Sequence, residues 1–275
     1  MIAIVVTKGA LFAADVPWAV ADAPFRAVVK AKVAPENLET GYLIALPELG
    51  QTMSGAADVV LLDARGTYLP LAKVWRGEGQ TVLLLAQSLP AGQEFFVYFG
   101  GNHARRQTPW NPKVSLLMET RRMPSGTKLD SWPDLEAAWK KAGEVDGADF
   151  VPAMAHGANP FGESVNFLTH YTGWLKTDDK KLSLYTVSSD ASFVLVGDKY
   201  EFGWPGEHGP QVNAKTVSRK EVNTSPGATR IDYYHAAKGA HAPTMVLGRS
   251  VGGKDETIPA SAWLHPGSME IVRLE

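Results

Sequence analysis

Apolar residues in the first hundred positions come in short runs separated by polar punctuation, without the three-and-four spacing of helices. Phe25–Val33 alternates in part until Pro35-Glu36-Asn37 breaks it, and 42–46, 59–62, 81–86 and 94–99 follow as further short runs. Turn chemistry punctuates them at Asp63-Ala64-Arg65-Gly66, Arg76-Gly77-Glu78-Gly79, Pro90-Ala91-Gly92 and Gly100-Gly101-Asn102. Short β-rich runs with regular turns predict an antiparallel sandwich rather than an alternating α/β fold.

The rhythm stops at 100–113, with one more strand expected over 114–121. The period then changes. In Ser131-Trp132-Pro133-Asp134-Leu135-Glu136-Ala137-Ala138-Trp139-Lys140-Lys141, Trp132, Leu135 and Trp139 share one helical face. Ser131 suits the N-cap, Asp134 lies three residues on, and Pro133 is tolerated in the first turn. From Asn166 strands return, at 167–176, 182–188, 192–196, 199–202, 228–235 and 244–248, with 258–264 closing the chain. The expectation is an all-β protein of two antiparallel β-sandwich domains, at 15–122 and 146–275. A linker with one short helix, at 123–145, lies near the junction. A length of 275 residues also favours two domains.

Bulk properties narrow the function classes. A net charge of −2 gives no electrostatic footprint for nucleic acid. The absence of cysteine excludes disulfides, thiolate metal sites and a cysteine nucleophile. No apolar run approaches the ~20 residues of a spanning helix. Residues 1–14 read either as a signal remnant, with small residues Ala10, Ala13 and Ala14 before Asp15, or as a first strand. Lys8 interrupts the apolar run, and the basic segment of a signal peptide is missing.

Catalytic motifs are scarce. There is no phosphate loop and no H-E-x-x-H. Gly248-Arg249-Ser250-Val251-Gly252 has the letters of a nucleophile elbow but sits in β-rich sequence. Asp178-Asp179 and Asp255-Glu256 look like solvated loop carboxylates. The seven histidines show neither the i, i+2 nor the i, i+4 spacing that would put two imidazoles on one face.

One segment is more specific. Phe-Leu-Thr-His-Tyr-Thr-Gly-Trp-Leu-Lys from Phe167 is followed by Ser188-Ser189-Asp190-Ala191-Ser192-Phe193, then Val196-Gly197-Asp198-Lys199. Trp204 to Pro210 forms a Trp- and Gly-rich loop, and a strand ends in Tyr233-Tyr234-His235. This order resembles the protective-antigen 14-kDa-like domain of anthrax toxin, yeast flocculins and bacterial glycosidases. The preceding half looks like a β-sandwich that accompanies such domains in large exported bacterial proteins, and it implies no activity of its own. The resemblance implies an extracytoplasmic module, in the periplasm, at the cell surface or secreted, with a calcium-dependent sugar site built on paired aspartates. Here Ser189 stands in the first aspartate position, which puts the calcium site in doubt.

Candidate ligand-binding residues are Asp190, Trp204 and His208, with Asn159 contributing an amide; Asp190 and Asp198 are the calcium candidates. Asp190 and Asp198 also suit plain β-turns, and Trp174 and Trp204 also suit the core. Two readings stand: a non-catalytic glycan-recognition module binding a cell-surface polysaccharide, or a structural or interaction subunit of a cell-envelope assembly. The second would engage other envelope proteins or copies of itself. An accessory module of a glycan-active enzyme is a lesser alternative.

Overall fold

The computed structural model describes residues 16–47, 50–76, 81–87, 89–106, 108, 110–210 and 218–275. The expected leader or first strand at 1–14 and most of the expected 76–79 turn lie outside them. Among the described residues up to 100, seven strands form: β1 (Phe25–Val33), β2 (Tyr42–Pro47), β3 (Val60–Leu62), β4 (Tyr68–Leu69), β5 (Leu71–Arg76), β6 (Thr81–Ala86) and β7 (Glu94–Phe99). Then come β8 (Leu117–Arg122), helix α1 (Trp132–Lys141), β9 (Val145–Phe150), β10 (Ala155–His156), β11 (Phe167–Thr177), β12 (Lys181–Ser188), β13 (Ser192–Val196) and β14 (Lys199–Trp204). The chain ends with β15 (Ser218–Asn223), β16 (Gly227–Ala237), β17 (Met245–Val251), β18 (Lys254–Thr257) and β19 (Gly267–Leu274). The protein is all-β with one α-helix among the described residues.

The first sheet runs β4-β3-β7-β1-β19-β2-β6-β5. Its inner face closes over Ala27, Val29, Ile44, Leu61, Val82, Leu84, Phe95 and Val97, drawn from strands near both edges, so the sheet curls around one core. The outer face is covered too. Val28, Val60, Leu62, Phe96 and Tyr98 pack beneath Val16, Val20 and Ala23, while Leu83, with Val74 and Trp75, meets Leu117 and Ala148. Burial on both faces explains why β6 and β7 read as near-continuous apolar runs instead of alternating.

Two further sheets make the second sandwich. One is β10-β17-β12-β15 with β18 on β17; the other is β14-β13-β16-β11-β8-β9. Between them lies a core that includes Tyr171, Leu184, Val194, Ile231, Tyr233, Leu247 and Trp263. Helix α1 starts at Ser131, whose Oγ accepts from the Asp134 N–H at 3.4 Å. It buries Leu135 and Ala138, with Trp132 and Trp139 beside them, on Leu168, Phe193 and Ala236. The helix therefore covers the outer face of the six-stranded sheet rather than wedging between the two sandwiches.

Strands are shared between sheets in a way that departs from the expected division at 122 and 146. β8, expected in the first half, pairs with β11 from Leu117↔Thr172 to Arg122↔Phe167. β19, expected as the end of the second half, enters the first sheet between β1 and β2. It runs antiparallel to β1 over Ala27↔Leu274 to Val33↔Ser268, and parallel to β2 at Gly267↔Tyr42 and Ser268↔Leu43. The 258–264 segment expected to close the chain is instead a short turn that buries Trp263 in the second core.

An interior strand cannot be removed without exposing both neighbours. Deleting residues 267–275 should expose the apolar edges of β1 and β2 and abolish the cooperative unfolding of the first sheet. Hydrogen exchange on β1 and β2 reads this directly; retained protection there would show that β19 is dispensable.

Candidate functional site

The turn between β12 and β13 holds Asp190, 1% exposed and with φ 59°, in the left-handed region that Asp tolerates better than most residues. Its main-chain N–H donates to the His208 carbonyl at 2.7 Å. Its Oδ1 accepts from the His208 N–H at 3.2 Å, and its Oδ2 from the Lys238 N–H at 2.8 Å. One buried carboxylate thus ties the 188–192 turn to the loop after β14 and to the loop after β16. An ion pair from Lys238 to Glu207 joins the same two loops again.

Trp204 and His208 stack within this frame, with ring centroids 3.9 Å apart and planes 19° from parallel. Gly206, at φ 88°, lets the loop reverse there, and its N–H donates to the Leu129 carbonyl at 2.8 Å. The structure therefore brings together three of the four ligand candidates: Asp190, Trp204 and His208. It does not bring Asn159 to them. The Asn159 amide is spent around its own loop, donating to the Glu163 carbonyl at 3.1 Å and accepting from the Phe161 N–H and the Thr120 hydroxyl.

Asp198 lies in the turn at the far end of β13, with its side chain 95% exposed. The five-residue strand separates it from Asp190 by about 16 Å, so the two cannot share an ion. Both Asp190 oxygens accept from main-chain amides. Ser189 Oγ donates to the Ala242 carbonyl and accepts from the Thr244 N–H at 2.9 Å. Calcium wants six to eight oxygens with free carboxylates among them. Among the described residues no group of three or more acidic or histidine side chains is placed to hold a metal. This donor set does not fit the calcium site that the resemblance implies.

Beneath the turn lies a pair of histidines invisible to spacing rules, His156 and His235, with ring centroids 5.1 Å apart. His235 Nε2 must carry the proton, because it faces the Ser189 carbonyl at 2.7 Å. Its Nδ1 is buried and has no partner among the described residues. His156 Nδ1 meets the Tyr171 hydroxyl at 3.0 Å, and its Nε2 is likewise buried and unpartnered. Burial pushes both rings toward neutrality: His156 down to about 2, helped by the neighbouring His235, and His235 down to about 4 despite the Ser189 carbonyl and Asp190.

A third cluster, also unforeseen, lies on the outer face of the six-stranded sheet. His170 Nε2 sits 2.9 Å from Asp232 Oδ1, and its Nδ1 sits 3.8 Å from Glu119 Oε1. Although burial opposes its charge, these two carboxylates raise the His170 pKa. Arg230 Nε pairs with Asp232 Oδ2 at 2.9 Å. Tyr234 stacks on the imidazole with centroids 4.1 Å apart. The letters suggesting a nucleophile elbow fall at the end of β17 and in the turn after it, where Ser250 pairs with Asp255 in a hairpin. That is a hairpin, not an elbow.

Two predictions follow from these burials. Replacing Asp190 by Ala leaves two main-chain N–H groups unpaired and should cost about 2–4 kcal/mol in urea unfolding, with Asn intermediate. A loss under about 0.5 kcal/mol would refute the clasp. The second concerns pH. The folded values of His156 and His235 lie below the ordinary histidine value of ~6.5, so their contribution is complete above that pH and fades as pH falls toward 4. His170 acts in the opposite sense, since its raised value stabilises at low pH and is lost as pH rises through it. The melting temperature should therefore fall between pH 6.5 and 4, and His235→Gln should flatten that limb; an unchanged slope would remove His235 as its cause.

No family model matches the chain, and no curated protein matches it. Among solved structures it is similar to the PA14 sugar-binding domain from an RTX adhesin, at 14% identity and TM-score 0.46 over 55% of this chain and 97% of that one. It is also similar to the PA14 domain of the MpAFP antifreeze protein, at 12% identity and TM-score 0.47 over 60% and 97%. A third is the epithelial adhesin 6 A domain from Candida glabrata in complex with Galβ1-3GlcNAc, at 12% identity and TM-score 0.39 over 58% and 90%. These likenesses are remote, and function has to be read from the side chains themselves.

Proposed function

We propose that this chain is a non-catalytic, extracytoplasmic carbohydrate-recognition protein that presents its glycan-binding surface at one loop end of the second sandwich. The observation that carries this reading is the Trp204–His208 stack, held in place by the Asp190 clasp. Loops at one end of a sandwich cluster although distant in sequence, and binding residues concentrate on loops set by a rigid frame. A locked platform loses little freedom on binding, which favours the weak contacts a sugar offers. The ring faces suit the C–H surface of a pyranose.

The proposed recognition is calcium-free, because the Asp190 carboxylate already serves two main-chain amides. It is also unlike a hydrolase centre. The carboxylates near the platform are committed, Asp190 to the main chain and Glu207 to Lys238, whereas glycoside cleavage needs an acid and a base or nucleophile free to act. Placement outside the cytoplasm accords with the resemblance to modules of exported proteins.

The same internal satisfaction of Asp190 favours a second reading, a spacer or interaction subunit of the cell envelope whose turn is built for rigidity. A glycan array that includes Galβ1-3GlcNAc, probed with the intact chain, separates the two. Under the recognition reading Trp204→Ala weakens binding about thirtyfold, on the order of 2 kcal/mol, while the melting temperature holds and EDTA changes nothing. Absence of binding at millimolar glycan, or loss of fold in the variant, would hand the case to the spacer.

A further inference from the structure

We propose that the seam between the two sandwiches is a second saccharide site, for a neutral mono- or disaccharide, built by residues from both halves of the chain. It shares the ligand class of the reading above but none of its residues. A cleft of about 460 Å³ opens there, lined among others by Trp110, Asn111, Glu119, His170, Trp174 and Arg230. That volume falls within the range of small-molecule sites, ~300–1,000 Å³.

The cleft exists because the outer face of the six-stranded sheet is only partly covered. Helix α1 lies over Leu168, Phe193 and Tyr234. The first sandwich abuts the same sheet at Leu117, through Leu83, Val74 and Trp75. Between these covers a polar strip crosses three adjacent strands. His170 lies opposite Glu119 on one side and Tyr234 on the other, and Trp174 lies opposite Arg230.

Stability alone does not account for this strip. The side chains of Glu119, His170 and Asp232 are 18%, 14% and 4% exposed, so charges have been taken out of water. Buried ion pairs usually stabilise no better than apolar side chains of the same size, and this sheet face could have carried the latter. A cluster of buried, paired charges at the wall of a cleft is better explained by something polar that binds there.

The chemistry selects the class of ligand. Glu119 and Asp232 already pair with His170 and Arg230, so a charged ligand would have to break existing contacts there, while Lys73, which also lines the cleft, adds an amine donor. A hydroxyl can donate to one carboxylate lone pair while accepting from a neighbouring N–H, disturbing neither pair. Asn111 adds an amide with no hydrogen-bond partner among the described residues. Trp110, from the connector of the first half, and Trp174, from β11, supply apolar walls; Lys113 Nζ lies 4.8 Å from the Trp174 ring centroid. Alternating donors and acceptors between two indoles fit a sugar ring better than a planar apolar molecule or an ion.

This seam is separate from the loop end. Arg230 lies about 17 Å along β16 from His235, which sits under the Asp190 turn.

Calorimetry of the intact chain with lactose, cellobiose and maltose at millimolar concentration tests the site, alongside Trp204→Ala, Trp174→Ala and the near-isosteric Glu119→Gln. The expected result is disaccharide binding that survives Trp204→Ala and falls about tenfold or more in Glu119→Gln and Trp174→Ala, with the Gln variant still unfolding in one cooperative transition above the assay temperature. Binding that vanishes in Trp204→Ala and ignores Glu119→Gln overturns the seam site and leaves the loop end standing. No binding of any disaccharide to the intact chain overturns the seam site, and an empty glycan array besides would overturn the loop end as well.

Discussion

The architecture depends on the last strand returning to the first sheet. β19 lies between β1 and β2, and Arg26 clasps the C-terminal residue: its guanidinium pairs with the Glu275 carboxylate, and the two residues exchange main-chain bonds at 3.0 and 2.8 Å. That guanidinium is 4.7 Å from the Trp18 ring centroid and 5.1 Å from that of Phe96, so it is stacked as well as paired. In chain order the second sandwich is therefore an insertion between β7 and β19, leaving and re-entering the first. Two crossings hold it where a bead on a linker would have one. Both crossings are anchored: Lys113 N–H donates to the Glu39 carbonyl on the way out, and Gly267 N–H to the Gly41 carbonyl on the way back. A double tether fixes the seam, and only a fixed seam can hold a shaped cleft.

The loop end obeys a different constraint. A carboxylate at 1% exposure is tolerable only if its lone pairs are filled, and here the fillers are amides of two loops, one of which carries the aromatic platform. The turn residue with a positive φ, the buried carboxylate and the stacked rings form one mechanical unit. That economy leaves both Asp190 oxygens engaged with main-chain amides where the family resemblance implies a calcium ligand. With Ser189 in place of an acid, the position is satisfied by main-chain partners.

Much of the fold was legible because its cause is local. Runs such as 81–86 and 94–99 are strands by composition, and Ser131 with Asp134 marks a helix start that the structure reproduces. β19 was not legible: only Met269 and Ile271 reach the core, and Glu270 and Arg273 make the segment resemble a polar tail. β15 escaped for a similar reason, being an edge strand in which Val222 alone is buried. The site was half visible. The order of short motifs placed Asp190, Trp204 and His208 on loops that do meet. The grouping of His170, Asp232 and Glu119 depends on the pairing of β8, β11 and β16, and register over some fifty to a hundred residues leaves no mark in spacing. Asn159 was misjudged because a loop amide looks free until its local partners are seen.

The His170 cluster is arranged unlike a hydrolytic centre. An imidazole held by a carboxylate is two thirds of a hydrolytic triad, and the 2.9 Å contact with Asp232 would orient it well. A general base, however, needs a neutral ring with one nitrogen turned toward the group that loses its proton. Here the second nitrogen faces Glu119, and the acids on both sides raise the pKa of the ring although burial opposes its charge. Both ring nitrogens thus face carboxylates. Paired through both nitrogens and stacked on Tyr234, the ring is held in one orientation at the wall of the cleft.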